Sequence, residues 1–209
     1  DMECSILDEM PKHRKPAKTR VIQPVKLEKV YQYMKSEMDE GKQCMVVYPL
    51  VEETEKSDLK AAEEAFTELS VGDFSDFSVG LLHGRMKKDE KNDIMEKFSK
   101  NEIHLLISTT VIEVGIDVPN ATVMVVEHAD RFGLTQLHQL RGRVGRGTKK
   151  SVCVLVQRKS TESGLKRLQI MEETNDGFKI ADEDLLMRGP GAFFSSKQSG
   201  FLKYRIADL

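Results

Sequence analysis

No run of apolar residues in this 209-residue chain approaches the roughly 20 needed to cross a bilayer, and the first residues lack the basic-then-apolar pattern of a secretory leader. A soluble, cytoplasmic protein is the expectation. Cysteine is scarce: Cys4, Cys44 and Cys153 are odd in number and without metal-ligand spacing, and two of them sit inside apolar runs, CMVVY and SVCVLV. They read as reduced core thiols rather than a disulfide framework. The five histidines show neither H-x-x-x-H nor H-E-x-x-H spacing, so no metal ligand is assigned. An excess of either charge is lacking too, the formal net charge being −2. Any binding of a polyanion must therefore rest on local patches rather than on a global field.

Two patches are present, KHRKPAKTR at 12–20 and RGRVGRGTKK at 141–150. Between them lie four short apolar runs, CMVVYPL (44–50), VGLLH (79–83), IHLLIST (103–109) and TVMVVE (122–127), and a fifth, VCVLVQ (152–157), comes just after. Residues apolar at consecutive positions are expected of strands covered on both faces. Helical periodicity separates them, in Leu27, Val30, Tyr31, Met34 and Met38 until Gly41, in Leu59, Ala62, Phe66 and Leu69 after the capping candidate Ser57, and in Ile94, Met95 and Phe98. Strands alternating with helices predict an α/β fold, a doubly wound parallel sheet, because parallel neighbours require crossover connections. Residues 1–24 carry three prolines and little periodicity and read as an extended connector; 25–158 form the main domain. Residues 159–209 read as a small C-terminal appendage, with helical segments around 161–173 and 180–188 and then a loop-like RGPGAFFSSKQSG, in which Phe193 and Phe194 are expected to anchor the tail. The acidic run DEDLL (182–186) comes after no apolar strand and belongs on a helix face.

In an open α/β sheet, ligands gather outside the carboxyl ends of the strands. The segments leaving each strand therefore matter: HGRM after 79–83, STTVIEVGIDVPN at the end of 103–109, and EHADRFGLTQLHQLRGRVGRG after 122–127. The last holds three arginines and three glycines in seven residues, 141–147. If 135–146 is a helix, Gln139, Arg143 and Arg146 share one face and Leu137, Leu140 and Val144 another. Gly142 and Gly145 would weaken that helix by about 1 kcal/mol each, which suits a place where a bulky partner comes close. Arginine's planar fork fits phosphate oxygens, although spacing alone allows a solvated basic helix end equally well.

QLRGRVGR resembles the Q-x-x-G-R-x-G-R motif of superfamily 2 helicases, and TTVIEVGIDVP resembles the motif preceding it in their second RecA-like domain. With YPLVEE, LLHGRM and DGFKIADEDLLMRGPG…QSG, nearly the whole chain is similar to the RecG-type branch-migrating DNA helicases, and ILDEMPKHRKPAKT is similar to the segment joining their two motor domains. The resemblance implies a RecA-like sheet in 25–158 and, in 159–209, a translocation motif made of a helical hairpin and a loop. It implies that Arg143 and Arg146 are arginine fingers reaching the γ-phosphate of ATP held by the other motor domain, with Gln139 fixing their register. Asp117, with Gly115 beside it, matches the nucleotide contact, while Thr109, Thr110 and Glu113 belong to the loop linking nucleotide state to DNA. His83, Gly84 and Arg85 would lie along the DNA backbone. Arg188, Gly189, Gln198 and Gly200 match the translocation motif, whereas Ala192 and Ser195 stand where the family commonly has Glu and Gly.

No G-x-x-x-x-G-K-[ST] and no strand-borne DExH-type segment occurs in these residues. Without them there is no cradle for the α- and β-phosphates and no Mg²⁺ ligand set. The expectation is half an active site: ATP and Mg²⁺ bound mainly by a preceding motor domain, inactive without it. The implied partners are branched or forked double-stranded DNA and the N-terminal motor and DNA-binding domains of the same polypeptide, acting as a monomer in a bacterial cytoplasm. Two other readings carry similar residues: the corresponding domain of a transcription-repair coupling factor, and a stand-alone, non-catalytic nucleic-acid-binding module.

Overall fold

The structure, a computed structural model, describes residues 15–51, 54–109 and 118–189. Six strands form one all-parallel sheet: β1 (Lys18–Ile22), β2 (Gln43–Tyr48), β3 (Val79–Leu82), β4 (Leu105–Thr109), β5 (Ala121–Val126) and β6 (Val152–Val156), in the order β1-β6-β5-β2-β4-β3. Helices α1 (Leu27–Asp39), α2 (Glu55–Val71), α3 (Lys88–Ser99), α4 (Leu134–Arg141), α5 (Glu162–Glu173) and α6 (Gly177–Arg188) cover it. The doubly wound parallel sheet expected from the apolar runs is what forms.

Alternate residues of the central strands feed two cores. Cys44, Val46, Leu105, Ile107, Val123 and Val125 meet Met34 and Met38 of α1 and Leu69 of α2 on one face. Met45, Val47, Leu106, Met124, Val126 and Leu155 meet Phe98 of α3 and Leu134 and Leu137 of α4 on the other. Strand residues buried on both sides are apolar without alternation, which makes these runs legible in the sequence. Gly41, at φ +78, ends the turn after α1 as expected. Ser57 does not cap α2; it lies within the first turn, its hydroxyl donating to Thr54 O, and Thr54 holds the N-cap position.

Three features add detail to the expected organisation. The stretch read as a connector contributes β1, paired along its length with β6, and Ala17 before it is buried in the core. The hairpin read as an appendage packs firmly onto the sheet domain: Leu168 and Met171 of α5 and Ile180 of α6 belong to the same core as the sheet. Helix α4 stops at Arg141 instead of running to 146, because Gly142 serves as its C-cap and Gly145 takes φ +73, a left-handed value that a helix cannot contain. The run DEDLL falls on α6, while Phe193 and Phe194 lie outside the described residues.

Candidate functional site

The position of the arginines follows from the direction of α4. β5 delivers the chain to the carboxyl edge of the sheet, a 3-10 turn at Ala129–Arg131 redirects it, and α4 runs back toward the amino edge before β6 begins. There Lys18 N donates to Ser151 O at 2.9 Å and Lys149 Nζ to Asn120 Oδ1 at 2.7 Å, so residues 142–151 lie beside the starts of β1, β5 and β6. The arginines expected at a strand exit therefore occupy the opposite edge. Strands of five residues rising about 3.3 Å each put roughly 16 Å between the two edges.

Without a continuous helix, the shared face expected for Gln139, Arg143 and Arg146 does not exist, yet the three still converge. Arg146 folds back so that its Nε donates to Gly142 O at 3.0 Å. With His138 and Asn175 they line one cleft of about 520 Å³. Among the described residues that line it there is no carboxylate, and its cationic and amide groups suit an anion. Gly145 serves backbone packing rather than a ligand: a β-carbon there would collide with Ser151 Oγ and come 3.2 Å from Lys15 O. Burial, and then the charge of Arg141, lower the pKa of His138, which favours a neutral ring.

The third arginine of the stretch behaves differently. Arg141 is only 4% exposed. Its Nη1 donates to Met171 O and Thr174 O, both at 2.8 Å, and to Thr19 Oγ1 at 3.2 Å, while Nη2 meets His138 Nδ1 at 3.0 Å. Arg141 borders the same cleft, but its guanidinium is tied into the protein, and nothing in the spacing of the motif separates it from Arg143 and Arg146.

The carboxyl edge gathers a second group. His83 directly follows β3, Thr109 ends β4, and the pairing of Leu82 with Ser108 sets His83 alongside Thr109. His83 Nδ1 and Thr109 Oγ1 are buried without a hydrogen-bond partner. Leaving such groups unmet costs about 1–3 kcal/mol each, and so marks a place where another molecule can supply partners. Gly84 O accepts from Lys91 Nζ at 2.7 Å, and exposed Arg85 donates from Nε to Glu55 Oε1 at 2.8 Å. Arg188 ends α6, paired with Asp184 at 2.7 Å, and Gly189 follows at φ +72. Thr110, Glu113, Gly115, Asp117, Gln198 and Gly200 lie outside the described residues.

The same edge holds a clamp that no motif announces. Arg131 donates to both carboxylate oxygens of Asp58, at 2.7 and 2.9 Å, and to Thr54 Oγ1 at 2.8 Å. Asp58 also accepts from Val51 N and Thr54 Oγ1. Burial by itself would raise its pKa, but the bonds from Arg131, Thr54 and Val51 outweigh burial and lower it. Directly after β5, buried Glu127 takes both Nε and Nη2 of Arg158 at 3.1 Å. These pairs join residues 31 and 73 apart; the charge of Glu127 just past an apolar run is a signal for the first, and the second has no local signature. Among the described residues no cluster of three His, Cys, Asp or Glu could hold a metal ion, and no helix is long and apolar enough to cross a membrane.

Residues 25–148 match the family described as helicase conserved C-terminal domain. Over its whole length the chain is 51% identical to the ATP-dependent DNA helicase RecG of Streptococcus pneumoniae, of which it spans 31%, and 46% identical to that of Thermotoga maritima, of which it spans 27%. It therefore covers less than a third of either relative. Among solved structures it is similar to RecG bound to a three-way DNA junction, with a TM-score of 0.75 and 44% identity over 89% of this chain and 24% of that one. Domain 2 of the DEAD-box helicase Mss116p bound to an RNA duplex aligns with a TM-score of 0.59 and 17% identity over 81% of this chain and 68% of that one, a likeness of fold alone. The RecA-like architecture is thereby borne out.

Proposed function

The chain belongs to the helicase conserved C-terminal domain family, and from that premise we propose that it is the second motor half of an ATP-dependent double-stranded DNA translocase that remodels branched DNA in recombination and repair. Similarity along its full length to proteins named RecG favours this over a coupling-factor domain or a stand-alone module. The observation that carries it is the convergence of Gln139, Arg143 and Arg146 on one cleft at the amino edge, whose described lining holds no carboxylate, with the orphaned polar atoms of His83 and Thr109 at the other edge.

ATP would sit between this cleft and a preceding motor domain of the same polypeptide. Arg143 and Arg146 stabilise charge on the γ-phosphoryl group as it is transferred, Gln139 holds their register, and Gly115 and Asp117 contact the nucleotide. Mg²⁺, when bound, would neutralise phosphate charge, and its ligands are placed by this reading in the preceding domain. His83, Gly84, Arg85, Thr109, Thr110 and Glu113 contact or sense the DNA backbone, and the hairpin with Arg188, Gly189, Gln198 and Gly200 moves the duplex. Binding is mainly to phosphate, so it weakens steeply with salt. The protein works as a monomer in the bacterial cytoplasm, at the nucleoid during repair.

The test is Arg146→Ala in the complete protein. An arginine finger contributes about 10³-fold or more to turnover, so DNA-stimulated kcat for ATP should collapse while DNA affinity holds. Unchanged kcat would refute the assignment.

A further inference from the structure

We propose that Arg141 is a positioning residue that couples the arginine cleft to the helical hairpin α5–α6 and so sets how much DNA movement accompanies each ATP turnover. This inference rests on the reading of the chain as a motor domain.

A buried cation ordinarily meets a carboxylate, because an unpaired charge out of water is severely penalised. The partners of Arg141 are instead two backbone carbonyls, a hydroxyl and an imidazole nitrogen. The two carbonyls decide what the charge is for. Met171 lies in the last turn of α5 and Thr174 is its C-cap, where carbonyls lack helical donors and the helix dipole is negative. Arg141 thus caps the C-terminal end of α5 from a different helix. A guanidinium only donates, so His138 Nδ1 must accept and the ring proton sits on Nε2, the atom that faces Gly177 at the start of α6. One side chain therefore engages the end of the first hairpin helix and, through His138, the beginning of the second. Its remaining bond, to Thr19, reaches β1, and Ala17 just before that strand lines the cleft.

The backbone of Arg141 closes the circuit. It is the last residue of α4, directly before Gly142, whose carbonyl receives Arg146. At the other end of α4, Thr135 Oγ1 donates to Asp184 of α6 at 3.1 Å. α4 is thus bonded to the hairpin at both ends, and the guanidinium of Arg141 ties the residue directly before the cleft loop to the turn between α5 and α6, whose Asn175 also lines the cleft. Lysine keeps the charge but has no fork with which to hold two carbonyls, a hydroxyl and an imidazole together.

The experiment uses the full-length protein with Arg141→Gln and Arg141→Lys, measuring DNA-stimulated ATP hydrolysis and branched-DNA unwinding on material whose folding is checked by thermal melting. A coupling residue predicts that base pairs unwound per ATP fall about tenfold in Arg141→Gln, with Arg141→Lys intermediate, while ATP turnover changes far less. Equal losses of both activities, or no change in their ratio, would overturn the inference and leave a purely structural arginine. If Arg141→Gln does not fold, Arg141→Lys and Thr19→Val, which each remove part of the network, are read in the same two assays with the same criteria. Wild-type protein lacking DNA-stimulated ATP hydrolysis would overturn the motor reading and this inference with it, whereas an intact motor with an unaltered ratio in the variants overturns this inference alone.

Discussion

Gly145→Ala should destabilise the chain far more than Gly41→Ala, although both glycines have almost the same backbone angle, φ +73 and φ +78. A side chain in the left-handed region costs about 1–2 kcal/mol, and both substitutions incur that. They differ in what the new methyl meets. At Gly41 no atom lies within 4 Å, whereas at Gly145 the methyl collides with Ser151 Oγ and crowds Lys15 O at 3.2 Å. Overpacking of that kind adds about 1–3 kcal/mol, for a total of roughly 2–5 kcal/mol against about 1–2 for Gly41→Ala. Urea unfolding of the two variants measures the difference. Ser151 Oγ is itself buried without a hydrogen-bond partner, so Ser151→Ala should be nearly neutral alone. Combined with Gly145→Ala it should recover about 1 kcal/mol or more, a positive coupling in a double-mutant cycle. Equal losses in the two glycine variants, or a cycle that closes at zero, would mean that only the backbone angle keeps glycine at 145.

The carboxyl edge yields two further outcomes. Asp58→Asn should cost about 2–3 kcal/mol near neutral pH by weakening the bidentate pair with Arg131. Because the Asp58 carboxyl is held below its ordinary 3.8, the stabilisation is full above that value and is lost as pH falls through the lowered folded-state value; the variant's deficit should therefore shrink in acid, and a pH-independent deficit in urea titrations would contradict the pairing. Thr109→Val keeps shape and removes a buried, unpartnered hydroxyl, so stability should be unchanged or up to about 1 kcal/mol higher while duplex DNA binding by the complete protein weakens. Stability lost without any effect on binding would show that the hydroxyl serves the fold.

The central strands are legible in the sequence because burial on both faces removes the need for alternation, leaving CMVVY, LLIST and ATVMVV as unbroken apolar runs. β1 is not: KTRVI sits at the sheet edge, only Thr19 in it is buried, and its charged residues look like those of a linker. The end of α4 is hidden because Leu140 and Val144 keep helical spacing through a turn that only the φ of Gly145 reveals. Arg141, Arg143 and Arg146 are the same letter in one motif and all line the cleft; what sets the first apart after folding is its guanidinium, held by carbonyls of a helix 30 residues away. The Arg131 clamp on Asp58, 73 residues away, has no local signature.

An all-parallel sheet also has a mechanical grain. Every one of its six strands begins at the cleft edge and ends at the edge of His83 and Thr109. A pull applied at one edge and resisted at the other runs along covalent backbones, and the hydrogen bonds between strands are sheared together rather than peeled apart in turn. Such a slab yields little along its length and more readily across it.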